Sequence, residues 1–496
     1  MNTGRYFLGL DAGTTGVKAA VFDATGGLLG VGLNEYTLET PAPDIVELDP
    51  EVYWHAAAAA IGEAVARSGV RPEQIVSAGV TGQAETLIMT DEKGDPVGKA
   101  IVWLDNRARE EAGECREAFP PEELFRMSGQ TEMLPCWPAA KILWLRKHRP
   151  EQFRKAKKFL MVEDFLAGRL TGEFATCRGL MPSSLYYDIR TGEWDRGMLD
   201  FLELDEGRLP ALRDPGEPIG RCVSGGSALH RGTTVAAAPL DHICGNLGSG
   251  CVRKGMISET TGCSLALCAN FNRAVYDAKK RISTYHGFRR NSFALLPWAP
   301  TAGMLLKHFR DEFAGGLGYA DFDRIAAEVA PGSEGLILLP HCAGAVSPVC
   351  NPDARGTAWG VTLAHKRGHW ARAIMESVAY LLRDNVEALR ALDCPVGELR
   401  SLGGGAKSPL WLQIKADVLN LPIASAACEE ATALGAAMLG AVAAGAFASV
   451  EEAAEAMVRE GATVEPGENV ARYEACFRCY KELDRLIMPT YQPNAR

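Results

Sequence analysis

Apolar residues lead from Leu8 to Leu10 into Asp11, a Gly13-Thr14-Thr15-Gly16 run follows, and Lys18 introduces a second apolar stretch from Ala19 to Phe22. Two apolar runs about a Gly/Thr turn predict strand, turn, strand. Asp23 to Gly27 forms the next turn and Leu28 to Tyr36 a third strand. Asp49-Pro50-Glu51 predicts a helix start, because aspartate caps, proline fits the first turn and glutamate complements the dipole; the helix runs to about Arg67. Gln74 to Val80 reads as a strand ending in Thr81-Gly82-Gln83-Ala84-Glu85, with strand-like pieces at Thr86 to Met89 and Ala100 to Trp103. Beyond Asp105 the pattern turns helical, and Cys136 to Leu145 opens another helix. After a Gly- and Pro-rich span from Thr171 to Arg231, the small-residue strand Thr233 to Ala238 delivers Pro239-Leu240-Asp241-His242, with a helix from Ile243.

Gly255 to Leu267 repeats strand, Thr/Gly turn, strand, with Thr261 and Gly262 in the turn. This predicts two lobes that each present one hairpin. Trp370 to Leu392 has the apolar period of a helix, and Leu402-Gly403-Gly404-Gly405-Ala406-Lys407-Ser408 separates a strand from a helix carrying Trp411, Ile414, Val418 and Leu419. A glycine run there lets a ligand approach the backbone at a helix N-terminus. It is not a Walker motif, because Ala406 stands where glycine is required, and the chain has no GxGxxG fingerprint. Ala431 to Val450 carries no charge but is mostly alanine and glycine between acidic pairs, which predicts a buried, closely packed helix and not a membrane span.

Composition narrows the function. At 496 residues the chain is long enough for two to four domains, at about 150 residues each. A net charge of -10 argues against nucleic-acid and anionic-membrane partners. The 14 cysteines are scattered with no leader ahead of them, which predicts a reducing, cytoplasmic setting. Cys476-Phe477-Arg478-Cys479 is expected to place buried thiols on a helix and not to bind zinc.

The opening turn has the chemistry of a phosphate cradle: N–H and hydroxyl donors, Lys18 for charge, and Asp11 to face a metal ion. A plain polar hairpin would use the same residues. Taken in order, DAGTTGVK, DIVELDP, TGQAET with AIVWLDNRA, WPAAKILWL, RGTAWGVTLAHKRGHWARAIMESVAY, and SLGGGAKSPLWLQIKADVLNLPI with EEATALGAA resemble the motifs of the FGGY family of carbohydrate kinases. The resemblance implies an α/β fold of two RNase H-like lobes, as in the actin/hexokinase superfamily, with a cleft between them. Residues 1–247 would form the N-terminal lobe with the sugar site, and 248–496 the C-terminal lobe with the adenosine motif.

It further implies ATP-dependent phosphorylation of a small ketose, such as a pentulose, or a polyol. Asp241 would be the catalytic base, although a helix cap is the alternative, and Pro239-Leu240 replaces the family's glycine-rich approach to it. Asp11 would hold Mg2+. Thr14, Thr15 and Lys18 would meet the phosphates from one lobe and Thr261 and Gly262 from the other, with Gly303, Gly404, Gly405 and Ser408 along the nucleotide. Lys307 lies in the same nucleotide register. Gln83, Glu85, Trp103 and Asp241 would bind the acceptor, but Ala84 replaces the arginine of the glycerol-kinase-like branch and the xylulose-kinase-like Met-His pair is absent. The role of His242 and the oligomeric state, a homodimer included, stay open. An actin-like ATPase or a sugar-binding sensor is the rival reading.

Overall fold

The computed structural model describes residues 4–223 and 226–491. Strands β1 (Tyr6–Ala12), β2 (Gly16–Asp23), β3 (Leu28–Glu35), β4 (Ile75–Gly82), β5 (Pro218–Arg221) and β6 (Thr234–Ala237) form one sheet in the order β5-β6-β4-β1-β2-β3. The hairpin strands pair antiparallel, while β1–β4 and β4–β6 pair parallel. A second sheet repeats the plan with β7 (Met256–Thr261), β8 (Leu265–Phe271), β9 (Ser283–His286), β10 (Phe293–Leu296), β11 (Glu398–Leu402), β12 (Ile423–Ala426) and β13 (Glu460–Val464). Here too a hairpin precedes two parallel strands and an antiparallel edge. The two lobes expected from the paired hairpins are therefore present.

The helices that place the site are α1 (Pro50–Ser68), α2 (Pro138–His148), α3 (Val162–Thr171), α4 (Asp241–Gly248), α5 (Gly303–Phe313), α6 (Arg367–Arg390), α7 (Pro409–Leu419) and α8 (Ala431–Ala443). Helix α1 starts as its sequence predicts: the Asp49 side chain accepts from Glu51 N–H at 3.0 Å, Pro50 follows, and Gly69 closes it at φ 67°. The insertion between β4 and β5 carries α2 and α3.

Helix α8 is the small-residue segment, and it lies on the sheet of the first lobe. A Cβ built at Gly9 of β1 would sit 1.8 Å from the Ala433 carbonyl oxygen, and one at Gly79 of β4 would sit 1.9 Å from that of Ala436. Against α4 the same holds, with 1.8 Å from Gly248 to the Ala431 oxygen and 2.0 Å from Gly435 to that of Cys244. Glycine at these places lets backbone meet backbone, which is why the segment avoids large apolar residues. The helix is shorter than the uncharged stretch, because Gly445 at φ 66° turns the chain before a further helix at Val450–Met457. Among the described residues no helix is long and apolar enough to cross a membrane.

One expectation needs correction. Cys476 and Cys479 do lie on a helix, Val470–Ile487, but Cys476 is half-buried and Cys479 exposed. Tyr473, Phe477 and Tyr480 take its buried face instead.

The α8 contact yields a stability test. Gly79→Ala should destabilise the protein by about 1–3 kcal/mol or more, as overpacking does. Gly62→Ala, mid-way along α1 with nothing within 4 Å of the added Cβ, should be neutral or stabilise by up to about 1 kcal/mol. Urea unfolding of the two variants checks this, and equal midpoints would contradict the packing argument.

Candidate active site

The first hairpin turn is tight: Gly13 N–H donates to the Gly16 carbonyl at 3.0 Å, and Asp11 pairs directly with Lys18 across the strands. Lys18 does not hang free, since its Nζ lies 2.7 Å from Glu430 Oε2 at the start of α8. Burial, then Asp241 and Glu430, push the Asp11 carboxyl up to about 7 against the pull of Lys18. Such a carboxyl is short of positive charge. Among the described residues no group of three or more His, Cys, Asp or Glu forms a metal cage, but Mg2+ bound with phosphates takes only one or two carboxylates. The donor set at Asp11 fits that mode.

The second hairpin is fixed from beneath. Lys415 of α7 and Glu259 of β7 form a fully buried ion pair at 2.6 Å. The lysine also donates to Thr261 Oγ1 at 2.9 Å and to Ser401 Oγ at 3.3 Å. Thr261 in turn donates to Glu259 at 2.8 Å, so its hydroxyl is committed within the lobe and its main chain with Gly262 is what remains for a ligand. Gly303 starts α5 with its N–H on the Gly262 carbonyl at 2.8 Å. The glycine run packs on the same hairpin, because a Cβ at Gly405 would lie 2.7 Å from the Thr261 side chain. Gly404 is exposed, and the Ser408 hydroxyl caps α7 at Trp411 N–H, 3.0 Å away, while donating to Asp323 at 2.8 Å. Lys307 is exposed on α5 and pairs with Asp311.

Asp241 is the first residue of α4, not a cap lying before it. Its carboxylate accepts from His242 N–H at 2.6 Å. The Thr81 hydroxyl at the end of β4 donates to the Pro239 carbonyl at 2.6 Å. Pro239-Leu240 thus forms an anchored approach to the helix. The charge of Asp241 raises both the Asp11 and the Glu85 carboxyl.

Gln83 and Trp103 meet the first hairpin, and Glu85 lies within reach of the Asp241 charge. The Trp103 indole N–H donates to Thr14 Oγ1 at 2.9 Å, joining the acceptor segment to the first hairpin. Gln83 Nε2 donates to the Gly13 carbonyl at 3.3 Å, leaving its buried Oε1 without a partner. Glu85 adopts a left-handed backbone, φ 63°, a strained state for a residue with a side chain. Burial pushes its carboxyl up to about 7, with Asp241 adding to the shift and Ser183 and Lys141 opposing it.

Several contributors were not singled out in the sequence. Lys141, fully buried in α2, donates to the main-chain oxygens of Glu85 at 2.8 Å, Val102 at 2.9 Å and Ile101 at 3.3 Å. Burial lowers its ammonium to about 8. Ser183 Oγ lies 3.0 Å from the hydroxyl of Tyr285, which β9 brings across from the other lobe. A signal existed for the lysines: Lys415 falls on the period of Trp411, Ile414 and Val418, and Lys141 interrupts an apolar run. Ser183 and Tyr285 carried none.

Residues 6–248 match the N-terminal domain and 267–444 the C-terminal domain of the FGGY family of carbohydrate kinases. The chain is 28% identical to a xylulose kinase of Bacillus subtilis over 97% of its length and 96% of that protein. It is 31% identical to a glycerol kinase of Thermococcus gammatolerans over 98% of both. The crystal structure of xylulose kinase from Rhodospirillum rubrum superposes with a TM-score of 0.88 at 25% identity, covering 98% of this chain and 100% of that one. With both domains matched in order across two lobes of the expected plan, the chain belongs to the FGGY family of carbohydrate kinases.

Proposed function

We propose that Asp241 is the general base in transfer of the terminal phosphoryl group of ATP to a hydroxyl of a small ketose, such as a pentulose, or a polyol. The observation that supports this is that Asp241 opens α4 within electrostatic reach of both the Asp11 and the Glu85 carboxyl groups. Phosphoryl transfer asks for positioning, charge neutralisation and a proton acceptor. Thr14, Thr15 and Lys18 bind the phosphates from one lobe, and the main chain of Thr261 and Gly262 from the other. Gly303, Gly404, Gly405 and Ser408 flank the nucleoside. Asp11 is the residue that would hold Mg2+, which when bound offsets phosphate charge. Lys18 must exchange Glu430 for phosphate, a swap between two anions that keeps the lysine oriented meanwhile.

On the acceptor side, Gln83 and Glu85 take hydroxyls and Trp103 packs against the carbon skeleton. The acceptor oxygen loses its proton to Asp241 as it bonds to phosphorus, and the bond to the ADP oxygen breaks. An actin-like ATPase would need the hairpins but would have no use for this polar pocket. The 14 free cysteines support a reducing, cytoplasmic setting.

Asp241→Asn should lower kcat by roughly 10²-fold or more, the scale of a lost general base. ADP release measured over tetruloses, pentuloses, hexuloses and polyols identifies the acceptor and tests this; normal turnover by the variant would refute the assignment. Glu85 gives a pH test. Its ionised form is the better hydroxyl acceptor, so the acceptor KM should fall as pH rises through about 7. Glu85→Gln should raise KM roughly tenfold at high pH and flatten the profile. The sign for stability is opposite. The fold keeps a proton that the unfolded chain releases near 4.5, so the ligand-free protein loses this contribution as pH rises through about 7. Thermal melts from pH 5 to 8 should show that loss reduced in Glu85→Gln.

A further inference from the structure

The second hairpin rests on a closed polar network. Lys415 of α7, Glu259 and Thr261 of β7, and Ser401 of β11 are each at most 1% exposed. The ammonium donates to Glu259 at 2.6 Å, to Thr261 Oγ1 at 2.9 Å and to Ser401 Oγ at 3.3 Å, which uses all three of its protons. Glu259 in turn accepts from both hydroxyls, from Thr261 on one oxygen at 2.8 Å and from Ser401 on the other. Every polar hydrogen of these four side chains is spent inside the network.

A buried ion pair is a costly way to fill space, because apolar side chains of similar volume often hold a fold as well or better. What it has that they lack is direction. Strands β7 and β11 are already fixed to each other by parallel pairing, with Glu259 opposite Ser401. Helix α7 is different, since the chain reaches it from β11 through Gly403-Gly404-Gly405, a run without side chains to set its course, and Gly403 stands at φ 76°. Lys415 ties this helix to the hairpin. Thr261 is the point of convergence: an added Cβ at Gly403 would lie 3.0 Å from its carbonyl oxygen and one at Gly405 2.7 Å from its side chain. The next residue, Gly262, accepts the N–H of Gly303 at the start of α5 at 2.8 Å. A displacement of Thr261 therefore reaches the turn, the glycine run and the start of α5 together.

We infer that Lys415 is a positioning residue for the nucleotide: it fixes the main chain of Thr261 and Gly262 against the glycine run while touching no ligand itself. This rests on reading the hairpin turn and the glycine run as the nucleotide side.

The test separates the link from the charge. Lys415→Met alone leaves Glu259 an unpaired buried carboxylate and should lower Tm. Lys415→Met combined with Glu259→Gln removes both charges, while the amide can still bond the Thr261 and Ser401 hydroxyls, so Tm should recover toward that of the wild type. In this double variant the dissociation constants of ATP and ADP, measured by calorimetric titration, should still rise roughly tenfold, the scale of one hydrogen bond to a charged group. The acceptor KM, and kcat at saturating ATP, should change little. Amide hydrogen exchange of the ligand-free protein should quicken over residues 261–264 and 403–408. Wild-type nucleotide affinity in the double variant would overturn the proposal, and so would unchanged exchange in these segments. Should the double variant not fold, Thr261→Val, which takes the hydroxyl out of the network and leaves the ion pair intact, should show the same loss of affinity and the same faster exchange, and wild-type values would overturn the proposal. If the wild type binds no ATP while exchange still separates the variants, the nucleotide reading fails and the link through Lys415 stands.

Discussion

The contact of α8 with the first sheet is closer than any side chain allows, and the site is referenced to it. At Gly9, Gly79, Gly248 and Gly435 the added Cβ would lie within about 2 Å of a carbonyl oxygen, so the main chains themselves touch. Packed backbone of this kind transmits displacement instead of absorbing it. The helix therefore carries Glu430, just before its first residue, to a fixed place beside Lys18 and the Asp11 carboxyl. It also holds α4, whose first residue is Asp241. The first hairpin turn, the Lys18–Glu430 pair and Asp241 are thus positioned by one interface, built by two distant parts of the chain.

Two buried lysines do a comparable task elsewhere, by opposite means. Lys415 neutralises Glu259 and knits together the second hairpin, β11 and α7, so that removing either partner would strand a charge in the interior. Lys141 has no direct carboxylate partner. Its bonds to three main-chain oxygens fix the turn on which Glu85 adopts its left-handed backbone. The first arrangement holds the second hairpin and the second holds the Glu85 turn. The strain at Glu85 is thus held in place by a main-chain bond to a buried cation.

Local patterns in the sequence showed the hairpins, α1 with its caps, the strand before Asp241 and the small-residue helix, because each depends on neighbours a few residues apart. The limits have the same origin. That α8 packs on the first lobe and not within its own half depends on pairs such as Gly9 with Ala433, which no local window contains. The commitment of the Thr261 hydroxyl to Lys415 is equally invisible, since the turn reads the same whether the side chain faces ligand or core. Ser183 and Tyr285 meet across the lobes from a turn-rich span and a short strand. Lys141 and Lys415 stood on apolar faces, where a lysine is itself a sign of a buried function.

The division between repeated and inserted parts explains why mechanism is easier to read than substrate. The two sheets share one plan, and each presents a Gly/Thr turn at the end of its hairpin. The residues proposed to bind the acceptor, Asp241 apart, come from the insertion between β4 and β5, and Tyr285 of the other lobe reaches Ser183 within it. An insertion can change its polar groups without disturbing the sheets that hold Asp11, Thr14 and Asp241. On the proposed reading, acceptor choice can therefore vary with the polar groups of that insertion, among them Gln83, Glu85 and the Lys141 that holds the Glu85 carbonyl.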